Sequence, residues 1–319
     1  MIDQPLFLIT QAQRSGGTLL LRLLDGHPEL HVVPFQLRGI DQAAKRPPQT
    51  AHEAWTAMHD PKLVERFREG YRQRKHDVLE DDVTYDFELE PERQRALYEE
   101  CAGGLDRPRT RDYFTCYFTS YFSAWCDYAN DGPEEKRWVV GFEPGVSRSL
   151  RRRQALNEIY PDGRVISIIR DPWSWYASAR RWEPQWSDRE AALDHWYRAS
   201  GGTFKWRAER RHRIDAPKAR DVRVITFDDL LTHTERIMRW IADWLGIEFR
   251  SELLEPTFNG HPISVNTSFS DVATAISSRP LERAGEELDA DDVAWIEAKC
   301  GDLHRALVAK VVRDWPDAR

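Results

Sequence analysis

The joint between the first apolar run and the first helix constrains the fold of this chain more than any other feature. Leu6-Phe7-Leu8-Ile9 has the length and composition of a buried strand. It passes into Thr10-Gln11-Ala12-Gln13-Arg14-Ser15-Gly16-Gly17-Thr18, and then into the apolar helical run Leu19 to Leu24. A strand, a short glycine loop and a helix together present backbone N–H groups at a helix N-terminus, where the dipole and the unpaired donors favour an anion. Arg14 adds a full positive charge, and Ser15 and Thr18 add hydroxyls. A tight turn would account for Gly16 and Gly17, but not for the cation and the hydroxyls beside them. The G-x-x-x-x-G-K-[ST] pattern of ATP and GTP loops is missing, because Thr18 and Leu19 follow Gly17 and the upstream glycine is absent. The dinucleotide fingerprint G-x-G-x-x-G is missing too.

Three more runs read as strands: Trp138 to Phe142, Val165 to Ile169 and Val222 to Phe227. Val165 to Ile169 is almost wholly apolar, as a strand buried on both faces should be. Helical periodicity fills the intervals. Ile237, Trp240, Ile241, Trp244 and Leu245 recur at three and four until Gly246 ends the pattern. Asp289 and Asp292 mark a helix start before Val293, Ile296, Cys300, Leu303 and Leu307. Strands alternating with helices imply the α/β class: a P-loop-like parallel sheet sandwiched by helices. No repeat or low-complexity linker divides the 319 residues, so one domain is expected, with residues 41–137 as a helical, charge-rich insertion or cap.

A second anion site is legible at Ile169-Arg170-Asp171-Pro172, with Ser178 eight residues after Arg170. Arg170 ends a buried strand, where open parallel sheets place ligands, and Ser178 lies about two turns into the following helix. A guanidinium and a hydroxyl can converge there on one phosphate.

The formal net charge of −7 argues against a general nucleic-acid binder. No apolar run approaches the roughly 20 residues of a membrane span. Cys101, Cys116, Cys126 and Cys300 contain no C-x-x-C pair, so reduced, mostly buried thiols are expected rather than a disulfide framework or a zinc site. No metal-ligand cluster is visible. The first residues lack a basic and apolar leader pattern, and a cytoplasmic location is expected. Six of thirteen tryptophans, Trp173, Trp175, Trp182, Trp186, Trp196 and Trp206, crowd the region after Arg170. Core packing is the expected role for most of them.

Gln13 to Leu20 resembles the 5′-phosphosulfate loop of sulfotransferases that use 3′-phosphoadenosine 5′-phosphosulfate (PAPS), and bacterial members often carry arginine at the basic position. The His27-Pro28 pair is similar to the helix end of the bacterial and Golgi-type branches. Arg170 and Ser178 resemble the family's 3′-phosphate element, and Phe227-Asp228-Asp229-Leu230 its aromatic element near the adenine. Thr257 to Gly260 and Asn266 to Phe269 look like a segment of bacterial members. Arg279 and Arg283 lie where another phosphate contact is expected, without the usual pattern around them; Arg283 is retained as the candidate.

The resemblance implies a cofactor set of Arg14, Ser15, Gly16, Gly17, Thr18, Leu19, Arg170, Ser178, Phe227 and Arg283. It implies sulfuryl transfer from PAPS to a hydroxyl or amine, with release of adenosine 3′,5′-bisphosphate. Arg14 would stabilise the leaving oxygen. Where the branch carries a glutamate after His-Pro, this chain has Gln36, an amide that can bind the acceptor but cannot act as a base. Glu143, after the second strand, is the candidate base, with a structural carboxylate paired to Arg148 or a neighbour as the alternative; His27 and His31 are weaker candidates. Small-molecule, lipid and carbohydrate acceptors all remain open. The competing functions are an ATP-dependent small-molecule kinase, which Asp228 at a strand end would suit, and a nucleotide-binding protein that has lost its base. Charge distribution fits a small polyanion: from Arg137 to Arg223 there are nineteen Lys and Arg against eleven Asp and Glu.

Overall fold

The computed structural model describes residues 1–62, 71–72, 84–85, 87–182, 186–211, 221–263, 276, 281 and 287–314. Five parallel strands form the central sheet: β1 (Leu6–Thr10), β2 (Leu30–Gln36), β3 (Trp138–Phe142), β4 (Arg164–Ile169) and β5 (Asp221–Thr226). Their spatial order is β2-β3-β1-β4-β5. Every residue of β1 is buried, as the centre of a sheet covered on both faces requires. The expected α/β architecture is therefore present, with one strand more than the sequence reading found. β2 escaped notice because Pro34 interrupts its apolar run; its pairing with β3 shifts register between Val32 and Gln36.

Alternation along the strands sorts the core onto two faces. Phe7, Ile9, Val140, Ile166 and Ile225 pack against α1 (Gly17–Leu24) and, further along the chain, the amphipathic helix Thr234–Leu245. That helix ends where the sequence says it should, with Gly246 at φ 71°. Leu6, Leu8, Val139 and Val165 pack on the other face. They meet Ile40 and Ala43 of α2 (Ile40–Lys45) and aromatic side chains from α3 (Ala51–Met58), α4 (Pro91–Gly103) and α5 (Thr110–Ala124). Tyr98, Phe114, Phe118 and Tyr121 belong to the same apolar cluster as the sheet, so these helices form part of its core.

The thiols require a correction. Cys101 and Cys116 form a disulfide across the antiparallel pair α4 and α5, with their Cα atoms 5.6 Å apart. Fifteen residues separate them in sequence, and only the turn back between the two helices brings them together; a spacing rule cannot show this. Cys126 and Cys300 are free.

The rest of the chain builds the second half of the sheet. α6 (Leu150–Ile159) leads to β4, then α7 (Pro172–Trp182) and α8 (Arg189–Arg211) lead to β5. α9 (Phe227–Thr232) and α10 (Thr234–Leu245) follow. The C-terminal pattern is split: α11 (Ala290–Ile296) and α12 (Asp302–Asp314) are joined through a π turn at Glu297–Gly301, and Val293 is exposed. The connections leaving β1 and β4 run to opposite sides of the sheet. These neighbouring strands thus form the topological switch point, where a crevice opens beyond their carboxyl ends. No helix among the described residues is long and apolar enough to cross a membrane.

Candidate functional site

The loop after β1 is built around two left-handed residues, Arg14 at φ 67° and Gly16 at φ 93°. For Arg14 that conformation is strained, and strain of this kind persists where the surroundings over-determine it. Gly16 is the N-cap of α1, which has no side-chain cap, and its carbonyl accepts the Leu20 N–H at 3.1 Å. Ser15 is buried, and its Oγ has no hydrogen-bond partner among the described residues. Gly17 is buried, Leu19 faces the core and Thr18 is exposed at the helix start. A Cβ on Gly17 would run into the Gln11 side chain, and one on Gly16 would stand 2.5 Å from Cδ2 of Phe227.

The loop after β4 closes onto the first. Arg170 Nη1 donates to the Arg14 carbonyl at 3.0 Å, and Nε donates to Ser174 Oγ at 3.0 Å. Its guanidinium lies 4.7 Å from the centre of the Phe227 ring. The third nitrogen, Nη2, is buried with no hydrogen-bond partner among the described residues. Burial lowers the Arg170 pKa to about 10, partly offset by Asp171, so the group stays charged at neutral pH. Asp171 accepts the Ser174 N–H at 2.8 Å and the Ser174 hydroxyl, fixing the start of α7 behind Pro172. Ser178 is fully buried on the same helix. Asp228, on the first turn of α9, is raised to about 6 by burial and by Asp171, against the pull of Arg170.

Two tryptophans brace this arrangement. Trp175 Nε1 donates to the Gln13 carbonyl at 2.5 Å, and Trp196 Nε1 donates to the Arg170 carbonyl at 3.0 Å. Both are fully buried, so packing is indeed their setting, but each indole N–H also holds one of the loops. Trp186 and Trp206 are buried and Trp173 is partly so, while the Trp182 side chain lies outside the described residues.

Glu143 leaves β3 alongside the same loop: its N–H donates to the Ile9 carbonyl at 3.0 Å, and the Gly145 N–H to that of Gln11 at 2.9 Å. The carboxyl is buried, and its Oε2 has no hydrogen-bond partner among the described residues. Burial pushes its pKa up to about 8, opposed by Arg152 and by a hydrogen bond from the Asp41 backbone. The charged neighbours are Arg152, Asp41 and Arg38; pairing with Arg148 does not occur, because Arg148 turns to His195 Nδ1 at 3.0 Å. Gln36 is exposed at the end of β2, in register with Phe142 and so one residue from Glu143. His27 sits at the far end of α1, bridging the Glu248 carbonyl and the Glu29 N–H, and His31 packs against the contacting rings of Phe122 and Tyr128. Neither lies at the loop.

Beside Gln13 opens a cleft of about 1040 Å³ between α2, the start of α6 and the first turns of α8. Trp186 and His195 line it, with a set of basic side chains from three separate stretches of sequence.

The model of the sulfotransferase family matches residues 5–251. The chain belongs to the sulfotransferase family. That match includes both loops, Glu143 and Phe227, and it stops before Thr257 to Gly260. In this family member Thr257 and Gly260 clamp the buried Asp25 at the end of α1. No curated protein sequence matches the chain. Among solved structures, the sulfotransferase domain of the curacin biosynthetic pathway is 16% identical, with a TM-score of 0.46, over 89% of this chain and 97% of that one. The sulfotransferase domain of the Synechococcus PCC 7002 olefin synthase is 16% identical, with a TM-score of 0.47, over 89% and 94%. A retinol dehydratase in complex with retinol and PAP is 13% identical, with a TM-score of 0.33, over 98% and 82%. The family assignment rests on the matched residues.

The structure thus gathers Arg14, Ser15, Gly16, Gly17, Arg170 and Phe227 at one crevice, with Glu143 on its β3 side. Asn266 to Phe269, Arg279 and Arg283 lie outside the described residues. The sequence reading named Asp171 but missed Ser174, although the Asp-Pro-x-Ser spacing is itself a helix-start signal. It also missed Arg152 and Asp41, which no motif marks.

Proposed function

We propose that this chain transfers a sulfuryl group from PAPS to a hydroxyl or amine acceptor and releases adenosine 3′,5′-bisphosphate. The observation that carries the reading is Arg170: a buried cation tied to the backbone of the first loop, with its Nη2 group left without a partner among the described residues. A buried charged donor without a partner is costly, and a phosphate oxygen is the acceptor that suits it. Ser15 Oγ, equally buried and without a partner among the described residues, meets the same test in the first loop. The residues present therefore fit a ligand with two separated anionic groups.

In this reading the loop N–H groups, Ser15 and Arg14 hold the phosphosulfate, and Arg14 neutralises charge on the departing phosphate oxygen. Arg170 and Ser178 hold the 3′-phosphate. Phe227, packed between Gly16 and Arg170, keeps the two loops at a fixed spacing. Glu143, once ionised, takes the acceptor proton as the oxygen–sulfur bond forms and the sulfur–phosphate oxygen bond breaks. Burial raises its pKa to about 8, which makes the ionised carboxylate a stronger base toward the acceptor hydroxyl. Gln36 lies close enough along the strand ends to orient the acceptor.

Calorimetric titration tests the donor assignment: adenosine 3′,5′-bisphosphate should bind at least tenfold more tightly than ATP, and equal binding would point to the kinase reading. Transfer of radiolabelled sulfate from PAPS across an acceptor panel then separates an enzyme from a binding protein.

A further inference from the structure

We infer that the acceptor is an anion, a hydroxyl compound bearing a carboxylate or phosphate group that docks in the cleft beside Gln13. The inference rests on the sulfotransferase reading and specifies its second substrate. Among the described residues the cleft wall carries five cations, Lys45, Arg148, Arg151, Arg152 and Arg198, against the two acids Asp41 and Asp194. Both acids are already shared. Asp41 pairs with Lys45 at 3.1 Å and with Arg152 at 2.6 Å. Asp194 pairs with Arg198 at 3.5 Å and with Lys299 at 2.8 Å. The wall therefore keeps an excess of three positive charges in a chain whose net charge is −7.

Like charges held together raise the energy of the empty cleft, and an anion relieves it. Arg148 registers that repulsion: partial burial and the guanidinium groups of Arg152 and Arg198 lower its pKa. His195 adds no further charge, since burial and Arg148 lower it to about 4. The excess does not belong to the donor loops, because neither Arg14 nor Arg170 lines this cleft. Its position suits an acceptor. Gln13 belongs to the first loop, and the wall residues Asp41 and Arg152 are the immediate neighbours of the Glu143 carboxyl.

A matched set of phenols tests this with the full chain: 4-hydroxyphenylacetate, 4-hydroxyphenyl phosphate and the neutral 4-hydroxyphenylacetamide, each titrated by calorimetry and offered as an acceptor. The two anions should bind at least tenfold more tightly than the amide, and the ratio between them identifies which anionic group the cleft prefers. Added salt should shrink the advantage. The triple variant Arg148→Gln, Arg151→Gln, Arg198→Gln changes only exposed side chains, and it should lose the preference while keeping its melting temperature. Equal binding of the amide, or an undiminished preference in the triple variant, overturns the inference. So does loss of adenosine 3′,5′-bisphosphate binding in that variant, because the cations would then belong to the donor site. Failure of the unaltered chain to bind that nucleotide, with the anion preference intact, would instead sink the donor assignment alone.

Discussion

Arg170 Nη1 is hydrogen-bonded to the carbonyl oxygen of Arg14 at 3.0 Å, so the cation of one candidate phosphate site is a structural member of the other. Arg14 itself adopts a left-handed conformation, with φ 67°.

Replacing Arg170 by alanine should therefore weaken adenosine 3′,5′-bisphosphate binding by on the order of a hundredfold, the value of a buried charged hydrogen-bond pair. Ser178→Ala should cost about tenfold, since it removes a neutral donor only. Calorimetry on both variants checks the ranking, and a larger loss for Ser178→Ala would contradict the geometry.

Glu143 sets a pH dependence of defined sign. Its folded-state pKa is raised to about 8, so the carboxyl is mostly protonated at neutral pH, and sulfate transfer should rise with pH through about 8. Glu143→Gln should abolish that limb and lower turnover by at least a hundredfold. Stability runs the other way. An acid whose pKa is raised on folding stabilises the fold at low pH and loses that contribution as pH rises from the ordinary carboxylate range through about 8. The melting temperature of Glu143→Gln should lack this decline. Arg152→Gln, by removing the opposing cation, should shift the activity limb to higher pH.

Gly16→Ala should be destabilising by about 2 kcal/mol or more, because the new Cβ meets the Phe227 ring at 2.5 Å and φ is 93°. Phe227→Ala in the same chain should recover part of the loss, leaving the backbone strain. A double-mutant cycle in denaturant reads the coupling between the two positions.

The Cys101–Cys116 bridge closes a loop of 15 residues, for which chain entropy gives about 3 kcal/mol. Cys101→Ser with Cys116→Ser should lower the melting temperature measured without reductant, and should match the unaltered chain measured with it.

Much of this molecule was legible in its sequence, and the reasons are local. β1, β3, β4 and β5 announce themselves as apolar runs because parallel strands covered on both faces need them. Arg14, Gly16, Gly17, Arg170 and Phe227 stand out because strand-end motifs carry their own spacing. β2 was hidden by Pro34, and the disulfide by a pairing that only the return from α4 to α5 creates. The cleft was hidden for the same reason: Lys45, then Arg148, Arg151 and Arg152, then Arg198 come from three separate stretches of sequence, and charge becomes a site only where the fold brings them together. Glu143 could be named from its strand end, but its neighbours Arg152 and Asp41 could not.

The proline that obscured β2 also governs how the sheet ends. Among the described residues β2 has a strand on one side only, and an open strand edge is a template on which another chain can pair. Pro34 offers no N–H to such a partner, its carbonyl is already occupied by Arg22 Nη2 at 3.0 Å, and the register slips around it. The edge is thereby blunted, and copies of the chain meeting there find its ladder interrupted at Pro34.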